Sequence, residues 1–341
     1  MLTKPAILLI YTGGTIGMMA DKISNALKPI SHHNLLQNIP EISKFNFEVD
    51  IVSLPNPIDS SEMAPKHWVE IAEIIGNKYE QYTGFVILHG SDTMAYTASA
   101  LSFMFENLSK PVILTGSQLP IGFIRSDGRE NLLSAIEIAA AHRKNRPIIQ
   151  EVAIYFEYYL YRGNRSTKFN AEQFEAFDSP NYPVLAEAGV NIRYFDNLPP
   201  KHNPNKFVIH KHFSNEVISI KLFPGINSSY IKTILSLENL KGVVLETFGS
   251  GNAPINEMFI GLLKSAIARG VIICNVSQCL KGSVNQGQYE TSIILEKIGV
   301  ISGHNMTFES AITKLMYLIG QGYSNSKVKT LFQKNIRGEL G

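Results

Sequence analysis

Two short segments of the sequence place hydroxyl and carboxylate side chains beside glycine, directly after an apolar run. The first is Thr12-Gly13-Gly14-Thr15, and the second is His89-Gly90-Ser91-Asp92-Thr93. Glycine lets a backbone approach a ligand closely, and a threonine or serine hydroxyl can attack a carbonyl carbon once a nearby base activates it. Backbone N–H groups at a helix start could also face a developing oxyanion. Both segments therefore indicate chemistry by a side-chain hydroxyl.

Each segment also has a purely structural interpretation. Glycine pairs after strands are common in turns, and Ser91 or Asp92 could cap the helix that follows. A phosphate-binding loop is disfavoured, because Thr12–Gly17 contains neither GxGxxG nor the GK[ST] ending of a P-loop. Taken alone, neither segment distinguishes an active site from a turn.

Alternating strands and helices position both segments. In the first half of the chain we predict strands at 6–11, 49–54, 85–89, 111–115 and 152–156. We predict helices there at 65–82, 92–108 and 127–143. This alternation indicates a largely parallel sheet covered by helices. Ligands of such sheets bind beyond the carboxyl ends of strands, so one site could use both segments.

The alternation weakens after Tyr161, and a segment rich in proline and asparagine follows at 198–205. Beyond it, alternating strand and helix patterns return. We therefore predict a two-domain α/β protein with a larger N-terminal mixed or parallel sheet flanked by helices and a smaller C-terminal parallel α/β domain. The N-terminal domain, at 1–195, would hold the catalytic residues, with a linker at 196–215 and the C-terminal domain at 216–341.

Composition favours a soluble protein that acts on a small molecule. The 31 basic and 29 acidic residues nearly cancel, which gives no reason to expect a nucleic acid or an anionic membrane surface as partner. No apolar stretch approaches the roughly 20 residues that span a bilayer. Cys274 and Cys279 match no redox or zinc motif, and His210 and His212 lack a third ligand, so we predict no metal site. A reducing, cytoplasmic location is the simplest expectation.

Several ordered segments together resemble the type I L-asparaginases, which are cytoplasmic amidohydrolases. The resemblance covers nearly the whole chain and is carried by Tyr11–Met18, Asp59–Met63, Gly84–Gly90, Asp92–Tyr96, Leu160–Lys168, Gly249–Pro254 and Asn335–Leu340. It implies hydrolysis of the side-chain amide of L-asparagine to L-aspartate and ammonia. It also implies an enzyme without metal or organic cofactor that assembles as a homodimer or homotetramer.

The same resemblance implies roles for individual catalytic residues. Thr15 would be the nucleophile, and Ser91, Asp92 and Lys168 would form a second group that activates a hydroxyl or water. Lys168 would accept a proton in that group and Asp92 would orient it. Whether Thr15 or Ser91 attacks first stays open. Without the resemblance, an isolated lysine such as Lys168 is more typical of a solvated surface.

Asparagine is a zwitterion, so its pocket needs an acceptor for the ammonium group and donors for the carboxylate. The resemblance implies that Asp59, Ser60, Ser61, Ser91 and Asp92 bind the substrate. Ser60 and Ser61 would hold the carboxylate end, and Asp92 would also hold the ammonium group. From sequence alone, Asp59-Ser60-Ser61 is more typical of a loop that enters a helix.

Three positions depart from the family pattern. Ser91 stands where the family usually has threonine, which keeps the hydroxyl but loses the methyl group that restricts χ1. Leu27-Lys28-Pro29 stands where the family often has tyrosine shortly before proline, so the residue that activates Thr15 stays open. Glu246 stands where some bacterial relatives have an arginine of a regulatory asparagine site, which argues against such a site here.

Parts of the sequence are also compatible with functions other than amide hydrolysis. The amidase subunit of a tRNA-dependent amidotransferase resembles this family but carries an extra domain before its threonine, whereas fourteen residues precede Thr15 here. A protein that senses asparagine without hydrolysing it would use the same pocket. Nucleotide binding is a more distant alternative. His89 has no role in the resemblance and is interpreted as structural, and the preference between asparagine and glutamine stays open.

Overall fold

The computed structural model describes residues 5–20, 27–29, 39–195, 205–287 and 290–341. The chain folds into two compact units. The first contains Met1–Ser179 and Pro183–Lys211, and the second contains Pro180–Tyr182 and His212–Gly341. Residues 205–211 of the predicted linker therefore lie in the first unit. Each unit is described by itself below.

The first unit is built mainly of short strands. In the described part of the chain they are β1 (Ala6–Gly13), β2 (Met18–Ala20), β3 (Leu27–Pro29), β4 (Glu48–Ile58), β5 (Gly84–Leu88), β6 (Phe105–Glu106), β7 (Val112–Thr115), β8 (His142–Arg143), β9 (Arg146–Pro147), β10 (Val152–Phe156), β11 (Tyr159–Arg162), β12 (Thr167–Lys168), β13 (Phe177–Asp178), β14 (Ala186–Ala188), β15 (Ile192–Tyr194) and β16 (Val208–Ile209). Its α-helices are α1 (Pro65–Lys78), α2 (Met94–Met104) and α3 (Gly128–Ala140).

Eight of these strands form one mixed sheet in the order β15-β14-β11-β10-β7-β5-β1-β4. The five strands from β10 to β4 are parallel, as the alternation of strands and helices predicts. The strands β11, β14 and β15 extend the sheet by antiparallel pairing. The predicted larger mixed sheet flanked by helices is thus confirmed, although the antiparallel edge was not anticipated.

The middle of this sheet forms the core of the first unit. Every residue of β5, β7 and β10 is buried, as expected for parallel strands covered on both faces. Helix α2 is buried nearly all round, so it shows no polar face. It ends at Met104 rather than at the predicted residue 108, because Phe105–Glu106 pairs with Val208–Ile209, about 100 residues further along the chain.

The second unit contains a four-stranded parallel sheet in the order β17-β18-β19-β20, which confirms the predicted smaller parallel α/β fold. Its strands are β17 (Val217–Lys221), β18 (Gly242–Thr247), β19 (Ile272–Ser277) and β20 (Ile301–Ser302). Its helices are α4 (Ser228–Leu235), α5 (Glu257–Ala268), α6 (Glu290–Lys297), α7 (Phe308–Gly320) and α8 (Asn325–Phe332). Strand β20 and helix α8 were not anticipated.

The end of the chain is fixed to the second unit by a buried ion pair. Lys314 Nζ of α7 donates to the Glu339 carboxylate and to the carbonyl oxygens of Phe332 and Lys334, at 2.8 and 2.6 Å. Both charged side chains are fully buried. Glu339 also accepts from the backbone N–H of Arg337 at 2.7 Å. These bonds satisfy the two buried charges, as stability requires.

Two further properties concern the described ranges only. No helix within them is long and apolar enough to cross a membrane. No group of three or more histidine, cysteine, aspartate or glutamate side chains in the same ranges is placed to hold a metal ion. The expectation of an enzyme without metal or organic cofactor stays a prediction.

Candidate active site

The two glycine-containing segments meet at the carboxyl ends of β1 and β5. These strands pair in parallel as far as Tyr11 and Leu88, and the Thr12 hydroxyl donates to the Leu88 carbonyl oxygen at 2.8 Å. Beyond this point the two backbones touch, since a Cβ atom added to Gly14 would lie 2.4 Å from the Gly90 nitrogen. Gly14 also has a positive φ of 84°, which favours glycine. The residues that follow this contact are Thr15 and Ser91.

A third segment, Asp59-Ser60-Ser61, joins them from the end of β4. The Asp59 carboxylate accepts from the Ser61 N–H at 2.8 Å and caps the short 3-10 turn Ser60–Glu62, and this bond lowers the pKa of Asp59. A Cβ atom on Gly90 would lie 2.5 Å from Ser60 Oγ, and the Thr93 hydroxyl donates to the Ser60 carbonyl oxygen at 2.6 Å. The segment is therefore a capped turn, as its local sequence indicates, and it also borders the Ser91 turn.

The structure brings Lys168 to Ser91 and Asp92. Its Nζ donates to Ser91 Oγ at 2.8 Å and to Asp92 Oδ1 at 2.7 Å. The Lys168 side chain is 15% exposed, whereas that of Asp92 is 67% exposed. Lys168 belongs to β12, whose pairing with β13 fixes its backbone. A hydroxyl and a carboxylate thus both lie within hydrogen-bonding distance of one amine.

The alternative of simple helix capping does not fit this geometry. Neither the 3-10 turn Ser91–Thr93 nor helix α2 has a side-chain bond at its N-terminal cap. The side chains of Ser91 and Asp92 are bonded to Lys168 instead. Among the described residues, the Ser91 N–H group has no hydrogen-bond acceptor. The start of this helix therefore offers an unpaired donor beside the lysine.

Gln118 is a further residue of the candidate site, and its local sequence does not mark it as one. Ser91 Oγ donates to Gln118 Oε1 at 3.3 Å, and Gln118 Nε2 donates to the Gln173 carbonyl oxygen at 2.9 Å. The Gln118 backbone N–H donates to the Asp127 carboxylate at 2.9 Å. Gln118 follows β7, a parallel neighbour of β5. Its place at the carboxyl end of a central strand was the signal that could have identified it.

Thr15 is partly buried and follows the contact between Gly14 and Gly90. Within the described part of the chain, its hydroxyl has no hydrogen-bond partner. The backbone then enters a hairpin in which β2 pairs with β3, placing Met18 opposite Pro29. Residues 21–26 and 30–38 lie outside the described residues. The residue that activates Thr15 therefore stays open.

His89 lies beneath the Ser91 turn and is fully buried. Its Nδ1 is 2.7 Å from the Gly90 carbonyl oxygen, and its Nε2 is 2.9 Å from the Thr97 hydroxyl. Burial lowers the pKa of His89 to about 4. A ring enclosed in this way cannot reach a substrate, which agrees with its interpretation as structural.

Comparisons with known proteins identify the family to which the chain belongs. Residues 6–200 match the family profile described as "Asparaginase, N-terminal", and residues 216–332 match the one described as "Glutaminase/Asparaginase C-terminal domain". The chain belongs to the asparaginase family. The resemblance to type I L-asparaginases seen in the sequence is thereby confirmed.

Individual members of the asparaginase family align with the chain along almost its whole length. It is 43% identical to L-asparaginase 1 of Escherichia coli K12 over 340 residues, which cover 99% of this chain and 98% of that protein. It is 41% identical to the 60 kDa lysophospholipase of Mus musculus over 98% of this chain and 62% of that protein. The crystal structure of L-asparaginase I from Vibrio cholerae superposes with a TM-score of 0.90 at 42% identity, covering 99% and 100% of the two chains.

Glu246, which stands where some asparaginases have a regulatory arginine, lies near the end of β18 in the second unit. Its carboxylate is 3.9 Å from Lys221 Nζ, and burial raises its pKa. A carboxylate at this position accepts hydrogen bonds and cannot supply the donors of an arginine. The expectation that a regulatory asparagine site is absent stays a prediction.

Proposed function

We propose that this chain hydrolyses the side-chain amide of L-asparagine to L-aspartate and ammonia. The observation that carries the proposal is the bonding of Lys168 to both Ser91 and Asp92, beside the turn that holds Thr15. The Escherichia coli and Vibrio cholerae relatives are named as L-asparaginases, which supports the same activity. Amide hydrolysis needs a hydroxyl nucleophile, a proton acceptor and donors for an oxyanion, and the strand ends offer all three.

In the first half of the reaction, the Thr15 hydroxyl oxygen attacks the side-chain amide carbon and loses its proton. The carbonyl oxygen becomes an oxyanion, and the Ser91 N–H, which has no acceptor among the described residues, is a suitable donor to it. The C–N bond then breaks, and the nitrogen takes up a proton and leaves as ammonia. The product is an ester between Thr15 and the aspartyl group.

In the second half, water attacks the ester carbon. The proton that the water loses passes to the group of Ser91, Asp92 and Lys168, with the amine of Lys168, which enters this step in its neutral form, as the acceptor and Asp92 as its orienting partner. The bond to the Thr15 oxygen breaks, that oxygen regains the proton from the Lys168 group, and aspartate is released. Both steps balance without metal, cofactor or redox chemistry.

Substrate binding is assigned to the turns on either side of Gly90. The α-ammonium group pairs with the exposed Asp92 carboxylate, and the α-carboxylate accepts hydrogen bonds from Ser60 and Ser61. Asp59 supports that turn through its bond to the Ser61 N–H, and its lowered pKa keeps its carboxylate charged at neutral pH. This arrangement leaves only the side-chain amide for attack.

The test is ammonia release from L-asparagine by the purified full-length protein and its Thr15→Ala variant. We expect activity in the wild type and a loss of several orders of magnitude in the variant, because no hydroxyl remains to attack. Thr233→Ala is the matched control, since that exposed hydroxyl bonds only to the Ser229 carbonyl of its own helix.

Two outcomes would contradict the proposal at different points. Wild-type turnover in Thr15→Ala would refute the assigned nucleophile. Asparagine binding by the wild type, measured by calorimetry, without ammonia formation over hours would instead identify a sensor protein. Running L-glutamine in parallel measures the preference between the two amides, since one methylene group changes binding by only about 1–3 kcal/mol.

A further inference from the structure

A chain of three hydrogen bonds runs through the buried interior beneath the Ser91 turn. The Trp68 indole Nε1–H donates to Thr97 Oγ1 at 3.1 Å, Thr97 Oγ1 lies 2.9 Å from His89 Nε2, and His89 Nδ1 lies 2.7 Å from the Gly90 carbonyl oxygen. The side chains of Trp68, His89 and Thr97 are all buried. This series of hydrogen bonds therefore begins on helix α1 and ends on the peptide group that precedes Ser91.

The proton positions in this chain follow from the groups at its ends. A carbonyl oxygen only accepts, so His89 Nδ1 must carry a proton and donate it to Gly90. An indole N–H only donates, so Thr97 Oγ1 accepts from Trp68 and is free to direct its own proton to His89 Nε2. The lowered pKa of His89 agrees with this neutral ring at physiological pH. The Gly90 carbonyl thus selects protonation on Nδ1, and the Thr97 hydroxyl holds the ring by donating to the lone pair on Nε2.

The bond from His89 sets the orientation of one peptide group. The C=O of Gly90 and the N–H of Ser91 belong to the same planar unit and point in opposite directions. Because the carbonyl points at the buried His89 ring, the Ser91 N–H points away from it. That N–H has no acceptor among the described residues, and Lys168 lies beside the Ser91 side chain.

We propose that His89 and Thr97 are positioning residues that hold the Ser91 N–H as a donor to the substrate's side-chain carbonyl oxygen. The proposal rests on the amide hydrolysis proposed above, because only an acyl-transfer reaction develops charge on that oxygen. If Nδ1 lost its proton, its lone pair would face the Gly90 carbonyl and repel it. The peptide group would then rotate and carry the Ser91 N–H out of line.

Thr97→Val tests this role, because valine keeps the shape of threonine but removes its hydroxyl. His89 Nε2 then loses its donor, and the ring is no longer held in place against the Gly90 carbonyl oxygen. Loss of an oxyanion donor lowers kcat by about 10²–10³, so a misdirected donor is expected to lower it by roughly 10- to 100-fold. KM should change by less than about twofold, because the oxyanion exists only in the transition state.

Two further variants separate positioning from general damage to the fold. Thr97→Ser restores the hydroxyl and should recover most of the lost kcat. Thr313→Val removes a hydroxyl from another fully buried threonine, on helix α7 of the second unit, where it bonds to the Glu309 carbonyl oxygen. This control should lower the thermal unfolding temperature by an amount similar to Thr97→Val while leaving kcat unchanged.

Nitrogen-15 NMR of the histidine rings gives a readout that does not depend on turnover. In the wild type, His89 should appear as a neutral ring protonated on Nδ1 from pH 5.5 to 8, and in Thr97→Val that signal should shift or split. Equal kcat values in Thr97→Val and Thr97→Ser, with an active wild type, would overturn the positioning role alone. An His89 ring protonated on Nε2 in the wild type would also overturn it. A wild type that releases no ammonia would overturn the proposed function, and this role with it.

Discussion

Replacing Lys168 separates what this residue contributes to catalysis from what it contributes to stability. Lys168→Met keeps the length of the side chain and removes the bonds to Ser91 Oγ and Asp92 Oδ1. Because Asp92 is 67% exposed, water screens the ion pair, and its loss should change the free energy of unfolding by about 1 kcal/mol or less. Loss of a proton acceptor, in contrast, lowers kcat by roughly 10²- to 10⁴-fold.

The assay compares ammonia release with urea unfolding for each variant. Lys211→Met is a matched control, since Lys211 and Glu73 form an ion pair with the same N···O separation of 2.7 Å on an exposed surface. It should show a similarly small change in stability and an unchanged kcat. Lys168→Arg keeps the positive charge, but a guanidinium group does not deprotonate in proteins, so its kcat should fall as far as that of Lys168→Met.

Two results would refute this reasoning. If Lys168→Met kept kcat within about threefold of the wild type, the lysine would lie outside the reaction, since general-base loss costs roughly 10²-fold or more. If Lys168→Arg alone were active, a positive charge rather than proton acceptance would be the contribution of Lys168. A loss of stability in Lys168→Met that exceeds the loss in Lys211→Met several-fold would show that the residue is mainly structural.

Two further predictions concern stability. Burial and nearby carboxylates raise the pKa of Glu157 from 4.5 to about 7. Between these pH values the folded state binds more protons than the unfolded state. The free energy of unfolding therefore falls as the pH rises through this window. In urea unfolding at pH 8, Glu157→Gln should therefore be more stable than the wild type by about 1 kcal/mol after allowance for solvent screening. At pH 4 the two proteins should be equally stable. A difference in stability that is the same at both pH values would contradict this prediction. Glu339→Gln leaves the buried Lys314 ammonium without its carboxylate and should lower the free energy of unfolding by about 3–5 kcal/mol. Glu216→Gln, in an exposed ion pair, should lower it by less than about 1 kcal/mol. Equal losses in the two variants would contradict the role of burial.

The parallel core of the fold was predictable because its signals are local. Apolar runs such as Phe85–Leu88 and the glycine turns after them mark strand ends within a few residues of sequence. The end of α2 at Met104 was not predictable in this way, because the pairing partner of Glu106 is Val208. Local propensity favours continuation of that helix, and a distant strand prevents it.

The site shows the same division between local and distant information. The turns at Thr15 and Ser91 were visible from their own residues, whereas Lys168 is 77 positions from Ser91 and could be assigned only by resemblance. Gln118 escaped notice because a single glutamine has no distinctive pattern. Its relevance comes from β7 being next to β5 in the sheet, and strand order is a property of the folded chain.

The different surroundings of Thr15 and Ser91 favour different roles for the two hydroxyls. Ser91 Oγ already accepts from Lys168 Nζ and donates to Gln118 Oε1, so an attack by it would require its bond to Gln118 to be given up. No hydrogen-bond partner of the Thr15 hydroxyl lies among the described residues. This contrast supports Thr15 as the attacking group and Ser91 as part of the proton-handling group. It also gives a reason why serine can replace threonine at position 91: two hydrogen bonds restrain the hydroxyl that the missing methyl group would otherwise hold.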